Sequence, residues 1–150
     1  LVLDGVTDQQ NVGAAFRSAV AFGARAVILQ DRKSPPLTGV LAKAAAGAIE
    51  IVPHVRVTNL GRAVETLRSL GYVTVALEGE AELSLSDALD DKRAAAIVVG
   101  AEGKGLRPGV AEACEKRARI PIAPQIESLN VSVAAAIALY ETKRIRGTRD

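Results

Sequence analysis

The sequence predicts an α/β domain in which helices cover both faces of a mostly parallel, six-stranded sheet. Three observations carry this prediction. Six short apolar segments, each about as long as one strand, alternate with segments of helical pattern. These segments are apolar nearly throughout, which is typical of strands buried on both faces of a parallel sheet. The 150 residues are 49% hydrophobic, which suffices for one sizeable core.

In the first half of the chain, the ends of the predicted helices are marked by caps and glycines. Asn11 is a suitable N-cap for the first helix, and Gly23 ends it. Gly71 ends the third helix, and a basic, proline-containing loop spans residues 30–39. The predicted elements, in order, are strand 1–3, helix 11–22, strand 26–29, helix 40–46, strand 48–52 and helix 58–70.

The second half is predicted to end in a long helix from Ser128 to Arg144. Ser128 suits its N-cap, and Lys143 with Arg144 suits the negative end of the helix dipole. Its middle is apolar on nearly every face, so either its own domain or a second subunit must cover it. The elements before it are strand 72–77, a helical turn 84–89, strand 95–99, helix 108–114 and strand 118–122.

Charge and cysteine content limit the kinds of function. The net charge of +2, with 19 lysines and arginines, favours an anionic partner. The single cysteine, Cys114, excludes an internal disulfide and a multi-cysteine zinc site, and we expect it to be a buried, inert thiol. His54 is the only histidine and is expected to be solvated, so no metal site is predicted.

The sequence contains neither a membrane-length apolar run nor an export signal, which predicts a cytoplasmic protein without a membrane partner. The first residue, Leu1, already lies in a strand-like run, and the chain contains no methionine. We therefore expect it to be a fragment of a longer polypeptide.

The glycine-rich turn at residues 100–106 follows a predicted strand. Its spacing, G-x-x-G-x-G, does not match the G-x-G-x-x-G dinucleotide fingerprint. A Walker loop is also excluded, because Gly105 stands where a magnesium-binding Ser or Thr is required. The remaining interpretation is a strand that ends in a turn whose backbone can approach a ligand closely. The alternative interpretation is a plain turn.

Three stretches of the chain have to be considered together. They are, in order, Asn11-Val-Gly-Ala-Ala-Phe-Arg17-Ser-Ala, then Val99-Gly-Ala-Glu-Gly-Lys-Gly-Leu106 with Ile120-Pro121-Ile122, then Ser128-Leu-Asn-Val-Ser-Val-Ala134. They resemble the three motifs of the SpoU, or TrmH-like, RNA ribose 2′-O-methyltransferases. The resemblance covers essentially the whole chain. Arg56-Val-Thr-Asn-Leu60, between the first two motifs, is similar to the members that methylate a guanosine ribose in 23S ribosomal RNA.

The resemblance implies a deep C-terminal trefoil knot, an exception to the rule against threaded chains. It implies an S-adenosyl-L-methionine pocket and an RNA substrate, with ribosomal RNA expected. Residues 1–150 would then be the catalytic domain, and any N-terminal RNA-binding domain would lie outside this chain. The cofactor-binding residues implied by motif position are Gly100, Ile120, Ile122 and Leu129, and Leu77 with Gly79 is expected to add a wall.

Arg17 is the main catalytic residue that the resemblance implies, and Asn11, Glu102, Ser128 and Asn130 surround it. Two roles remain open for Arg17. It can act as the base that deprotonates the ribose hydroxyl, or it can clamp the adjacent phosphate and hydroxyl while Glu102 or a water accepts the proton.

Other functions remain as alternatives. The chain can be a tRNA ribose 2′-O-methyltransferase, a knotted RNA-binding module without activity, or a nucleotide-binding enzyme of unrelated chemistry. A homodimer is also expected, because the helices at 14–22 and 129–140 carry more apolar surface than one domain of this size readily covers.

Overall fold

A parallel β-sheet forms the centre of the molecule. In the computed structural model, which describes residues 1–32 and 34–147, seven strands make one sheet in the order β3-β2-β1-β6-β4-β7-β5, and each neighbouring pair runs parallel. Lys33, within the predicted basic loop, lies outside the described residues. The strands are β1 (Val2–Asp4), β2 (Val27–Gln30), β3 (His54–Val57), β4 (Val73–Leu77), β5 (Leu83–Ser84), β6 (Ala95–Gly100) and β7 (Lys116–Arg119).

Helices connect the strands and cover both faces of the sheet, as predicted. Adjacent residues of one strand join different apolar clusters, because side chains alternate across a strand. Leu3 packs in the cluster that contains Phe16, whereas Val2 packs in the cluster that contains Val64. The helices are α1 (Gln9–Ala21), α2 (Val40–Ala45), α3 (Ala48–Ile51), α4 (Leu60–Ser69), α5 (Leu85–Ala88), α6 (Pro108–Ala113) and α7 (Val131–Arg146).

Helices α1 and α7 lie side by side and run parallel. Asn11, in the first turn of α1, is hydrogen-bonded to Asn130, which precedes α7. At the other end, the ring of Phe22 packs edge-on against Tyr140, with ring centroids 5.7 Å apart. Contacts at both ends therefore fix the first and third motifs next to each other.

The other side of α1 packs closely against α2. A Cβ atom added to Gly13 would lie 2.6 Å from Cβ of Ala44 and 2.9 Å from the α2 backbone. Only glycine fits there, so the first motif needs Gly13 for packing rather than for a ligand.

The predicted number of six strands is wrong, and one of the predicted strands is mostly a helix. The predicted strand 48–52 begins as α3, because Ala48 and Val52 are four residues apart and both reach the core. The strand lies further along, at β3 on the edge of the sheet, where His54 and Val55 are exposed. A two-residue strand, β5, also pairs with β7.

The last strand and two helix caps also differ from the prediction. Strand β7 ends at Arg119, before Pro121, which lacks the N–H group that a ladder requires. The cap of α1 is Asp8, and the cap of α7 is Asn130 rather than Ser128. Asn11 is therefore free to contact another segment.

Cys114 is buried, as predicted. Burial, with a smaller contribution from the nearby Glu78 carboxylate, raises the pKa of its thiol to about 12. Its Sγ donates a hydrogen bond to the carbonyl of Val110 at 3.4 Å. The thiolate needed for nucleophilic chemistry is thus disfavoured.

Across residues 1–32 and 34–147, none of the helices has both the length and the apolar composition needed to span a bilayer.

Candidate functional site

A cavity of about 610 Å³, the main cavity, opens at the carboxyl ends of β4 and β6. This is the edge of a parallel sheet at which ligands usually bind. The loops that follow β4, β6 and β7 form its walls. All six residues that the resemblance implies for the cofactor line it, namely Leu77, Gly79, Gly100, Ile120, Ile122 and Leu129.

The turn 100–106 forms one wall of the main cavity and folds tightly on itself. The N–H of Gly105 donates to the carbonyl of Ala101 at 2.7 Å. A Cβ atom on Gly100 would lie 2.2 Å from the carbonyl carbon of Gly105 and 2.4 Å from the nitrogen of Leu106. Backbone cannot move aside as a side chain can, so this turn requires glycine at position 100.

An ion pair between a buried carboxylate, Asp4, and Arg107 fastens both ends of this turn to β1. Asp4 is the register partner of Gly100, and its side chain is fully buried. Its carboxylate accepts hydrogen bonds from the backbone N–H of Arg107 at 2.9 Å and from Nε of Arg107 at 2.7 Å. This pair was not predicted from the sequence, where its one local signal is an acidic residue that ends an apolar strand.

Asn130 joins the three motifs through its side chain. Its Nδ2 donates to Oδ1 of Asn11 at 3.1 Å and to Oε2 of Glu102 at 3.2 Å. Its Oδ1 accepts from the N–H and the hydroxyl of Ser132 at 2.9 and 2.6 Å. Three of the five predicted catalytic residues therefore meet at one point, which we call the motif junction.

The other two predicted catalytic residues lie apart from the motif junction. Ser128 is exposed and lines the main cavity. Arg17 lies on the exposed side of α1, six residues or about 9 Å along the helix axis from Asn11. Its guanidinium makes no hydrogen bond or ion pair with any residue in 1–32 or 34–147, so its donors are available to a ligand.

Some residues of the main cavity were not predicted. Lys104 and Glu127 bring charge to its rim, and Val131 with Ala134 add apolar wall from the start of α7. Lys104 and Val131 lie inside the quoted motifs, so the motifs did contain this signal. Glu127 precedes the third motif and carries no comparable signal.

Among the described residues, this site offers amides, carboxylates, the ammonium of Lys104 and the guanidinium of Arg17. Within the described residues, no group of three or more His, Cys, Asp or Glu side chains is placed to hold a metal ion. Apolar walls and glycine backbone suit a flat organic ligand, and the motif junction next to them can orient a polar reactant.

Replacing Asn130 by alanine should lower the free energy of unfolding by about 1–2 kcal/mol, because α7 loses its N-cap. Asn130→Ser is the matched control. Serine caps helices about as well as asparagine but cannot reach both Asn11 and Glu102. Urea unfolding should therefore find the serine variant closer to the parent than the alanine variant, and equal losses would contradict a capping role.

Comparisons with known proteins show which family and which folds the chain resembles. The profile of the SpoU rRNA Methylase family matches residues 1–140. The chain is 46% identical, over 149 residues, to the 23S rRNA (guanosine-2'-O-)-methyltransferase RlmB of Pseudomonas syringae pv. tomato. The matched region is 99% of this chain and 59% of that protein. The chain thus spans about three fifths of the length of its curated relative.

Two solved structures show the same fold. The SpoU methyltransferase AviRb from Streptomyces viridochromogenes, in complex with the cofactor AdoMet, superposes with a TM-score of 0.83 at 27% identity, covering 97% of this chain and 56% of that one. The AdoMet-bound rRNA methyltransferase from Sinorhizobium meliloti gives 0.85 at 28% identity, covering 95% and 54%.

Proposed function

Because the chain belongs to the SpoU rRNA Methylase family, we propose that it transfers a methyl group from S-adenosylmethionine to a ribose 2′-hydroxyl of RNA, with 23S ribosomal RNA as the substrate. One observation carries the proposal. The motif junction of Asn11, Glu102 and Asn130 adjoins the main cavity, to which Glu102 also belongs.

The main cavity fits the cofactor in size and in chemistry. Its volume of about 610 Å³ lies within the usual range for small-molecule sites, about 300–1,000 Å³. Leu77, Ile120 and Leu129 offer apolar walls to an adenine ring, and the Gly100 turn offers backbone groups. S-adenosylmethionine, when bound, supplies a methyl group on a sulfonium.

The chain's own residues orient the ribose and handle its proton. A ribose hydroxyl is scarcely ionised at neutral pH, so its proton must be removed or shared during transfer. We propose that Arg17 holds the adjacent phosphate and polarises the hydroxyl, since a guanidinium keeps its protons in proteins. Glu102 or a water then accepts the proton. The alternative, in which Arg17 is itself the base, needs a neutral guanidine.

Homodimerisation through α7 is part of the proposal. Val133, Ile137 and Tyr140 are exposed at 46%, 38% and 53%, and their spacing places them on one face of the helix. Arg17 lies on the neighbouring exposed face of α1. A second copy of the chain that packs here would cover the apolar stripe.

Light scattering at micromolar concentration should therefore give twice the mass of one chain. Ile137→Glu should shift the protein to a monomer, because it places a charge in the covered stripe. Leu70→Glu is the matched control, since Leu70 is also exposed but follows α4, on the opposite face of the sheet. A monomeric parent, or a dimeric Ile137→Glu variant, would contradict this interface.

Three further points are proposed with the function. A trefoil knot is supported by family membership and by the meeting of segments 77–80, 100–106 and 120–129 around one cavity. A further RNA-binding domain is supported by the relative's greater length. Action on ribosomal RNA would place the enzyme in the cytoplasm.

Calorimetry and a methylation assay test the proposal. The chain should bind S-adenosylmethionine in preference to NAD and ATP, and it should methylate an unmethylated 23S ribosomal RNA transcript. Methylation of tRNA alone would favour the tRNA alternative. Cofactor binding or RNA binding without methyl transfer would favour a non-catalytic module. Binding of NAD or ATP alone would refute both the methyltransferase and the non-catalytic RNA-binding module.

A further inference from the structure

A second cavity, which we call the side cavity, opens at the same edge of the sheet. Its volume is about 580 Å³, and it lies between the end of β2 and the starts of α4 and α6. Strand β1 separates it from the main cavity, because the order of these strands is β2-β1-β6. It is lined in part by Thr58, Asn59 and Leu60. These residues belong to the stretch Arg56-Val-Thr-Asn-Leu60, which does not line the main cavity.

Two arginines bring cationic N–H donors to the side cavity. Arg62 and Arg107 both line it, and Glu65 is the one carboxylate among its lining residues. The guanidinium of Arg62 makes no contact with an acidic group in residues 1–32 and 34–147. Asp4 balances the charge of Arg107, and Glu65 balances that of Arg62. What the side cavity offers an anion is therefore the unpaired N–H donors of the two guanidiniums rather than net charge.

The guanidinium of Arg107 is already oriented. Its Nε and Nη2 hold Asp4 at 2.7 and 2.5 Å, while its Nη1 makes no hydrogen bond to any described residue. The side chain is 38% exposed. An arginine fixed along one edge loses little conformational freedom when its other edge binds a phosphate.

Two neutral features add a second kind of recognition. The first turn of α4 presents backbone N–H groups, of which Asn59 caps only that of Arg62. Oε1 of Gln30 is buried and accepts no hydrogen bond from any described residue. Gln30 lines the cavity, and rotation of its amide would present this acceptor to a hydroxyl or amino donor, which a nucleotide carries together with a phosphate.

We propose that the side cavity binds a nucleotide of the RNA substrate that flanks the methylated one, with its backbone phosphate held by Arg62 and Arg107. The inference rests on the proposed methyltransferase function and adds a substrate subsite to it. The motif junction starts at Asn11, in the loop and helix that follow β1. The reacting ribose would therefore lie between the two cavities, and its neighbour in the RNA would reach the side cavity.

Arg62→Ala tests the subsite, and Arg25→Ala is the matched control. Both arginines are exposed, but Arg25 precedes β2 and lies at the opposite edge of the sheet. Affinity for an unmethylated 23S ribosomal RNA transcript should fall about tenfold in the Arg62 variant. The slope of log affinity against log salt should become shallower by about 0.7, the value for one phosphate contact on single-stranded RNA. The Arg25 variant should match the parent.

Glu65→Gln should change affinity in the other direction, because it removes the carboxylate of the cavity. Added GMP should not release the RNA, since the flanking nucleotide is held by the rest of its chain. Equal affinities of the Arg62 and Arg25 variants would overturn the subsite, and release by GMP would point to a free-nucleotide site instead.

Measurements on the parent chain distinguish failure of the proposed subsite from failure of the proposed function. A parent that binds S-adenosylmethionine and methylates the transcript, with an Arg62 variant like the control, overturns the subsite alone. A parent that binds the cofactor but not the transcript also overturns the subsite. A parent that does not bind the cofactor refutes the proposed function.

Discussion

Gly100→Ala is expected to weaken S-adenosylmethionine binding by about 100-fold, which corresponds to the upper end of the about 1–3 kcal/mol that overpacking costs. The added methyl group would lie 2.2–2.4 Å from backbone atoms of Gly105 and Leu106. The turn must then open, and the wall that it gives to the main cavity moves with it. A larger side chain, as in Gly100→Val, adds to the same clash.

Calorimetric titration measures this effect, and Gly109→Ala is the control. Gly109 lies in α6, and a Cβ added there meets no atom within 4 Å, so this variant should bind the cofactor as the parent does. Leu129→Arg blocks the cavity from its other wall without a backbone clash. Parent-like affinity in both Gly100→Ala and Leu129→Arg would show that the cofactor binds elsewhere.

Arg17→Ala is expected to slow methyl transfer by about two to four orders of magnitude, the range for losing a positioned proton-transfer or electrostatic group. Affinity for S-adenosylmethionine should remain nearly unchanged, because Arg17 does not line the main cavity. Thermal stability should also persist, since the side chain is exposed and has no partner among the described residues.

Arg17→Lys separates charge from geometry. Lysine keeps the positive charge but not the planar fork, so a purely electrostatic role should be partly rescued and a bidentate clamp should not. Single-turnover rates on ribosomal RNA transcripts, with melting temperatures, distinguish these outcomes. A joint loss of stability and activity in Arg17→Ala would indicate a packing role, and transfer at the parent rate would refute the catalytic assignment.

The motifs predicted several residues of the candidate site but not their arrangement. The motifs named Asn11, Glu102 and Asn130, and the structure shows that Asn130 is hydrogen-bonded to the other two. The prediction gave Asn11 a local role, as the cap of α1. Asp8 fills that role, and local pattern cannot choose between two good capping residues a few positions apart.

The strand error has a similar physical origin. Residues 48–52 are apolar enough for a buried strand, while β3 is an edge strand with exposed His54 and Val55. Apolar pattern reports burial, and an edge strand is less buried than a central one. Position in the sheet therefore decided which segment became a strand.

The sequence by itself determined the α/β class, the parallel sheet covered on both faces, the family and six of the residues that line the main cavity. These follow from local periodicity and from motifs of a few residues each. The tertiary structure alone decided the contacts between distant segments, such as Asn11 with Asn130, 119 positions apart, and Asp4 with Arg107, 103 positions apart. Such contacts depend on the order of the strands in the sheet, because that order decides which strand ends meet. No local pattern of residues encodes the strand order.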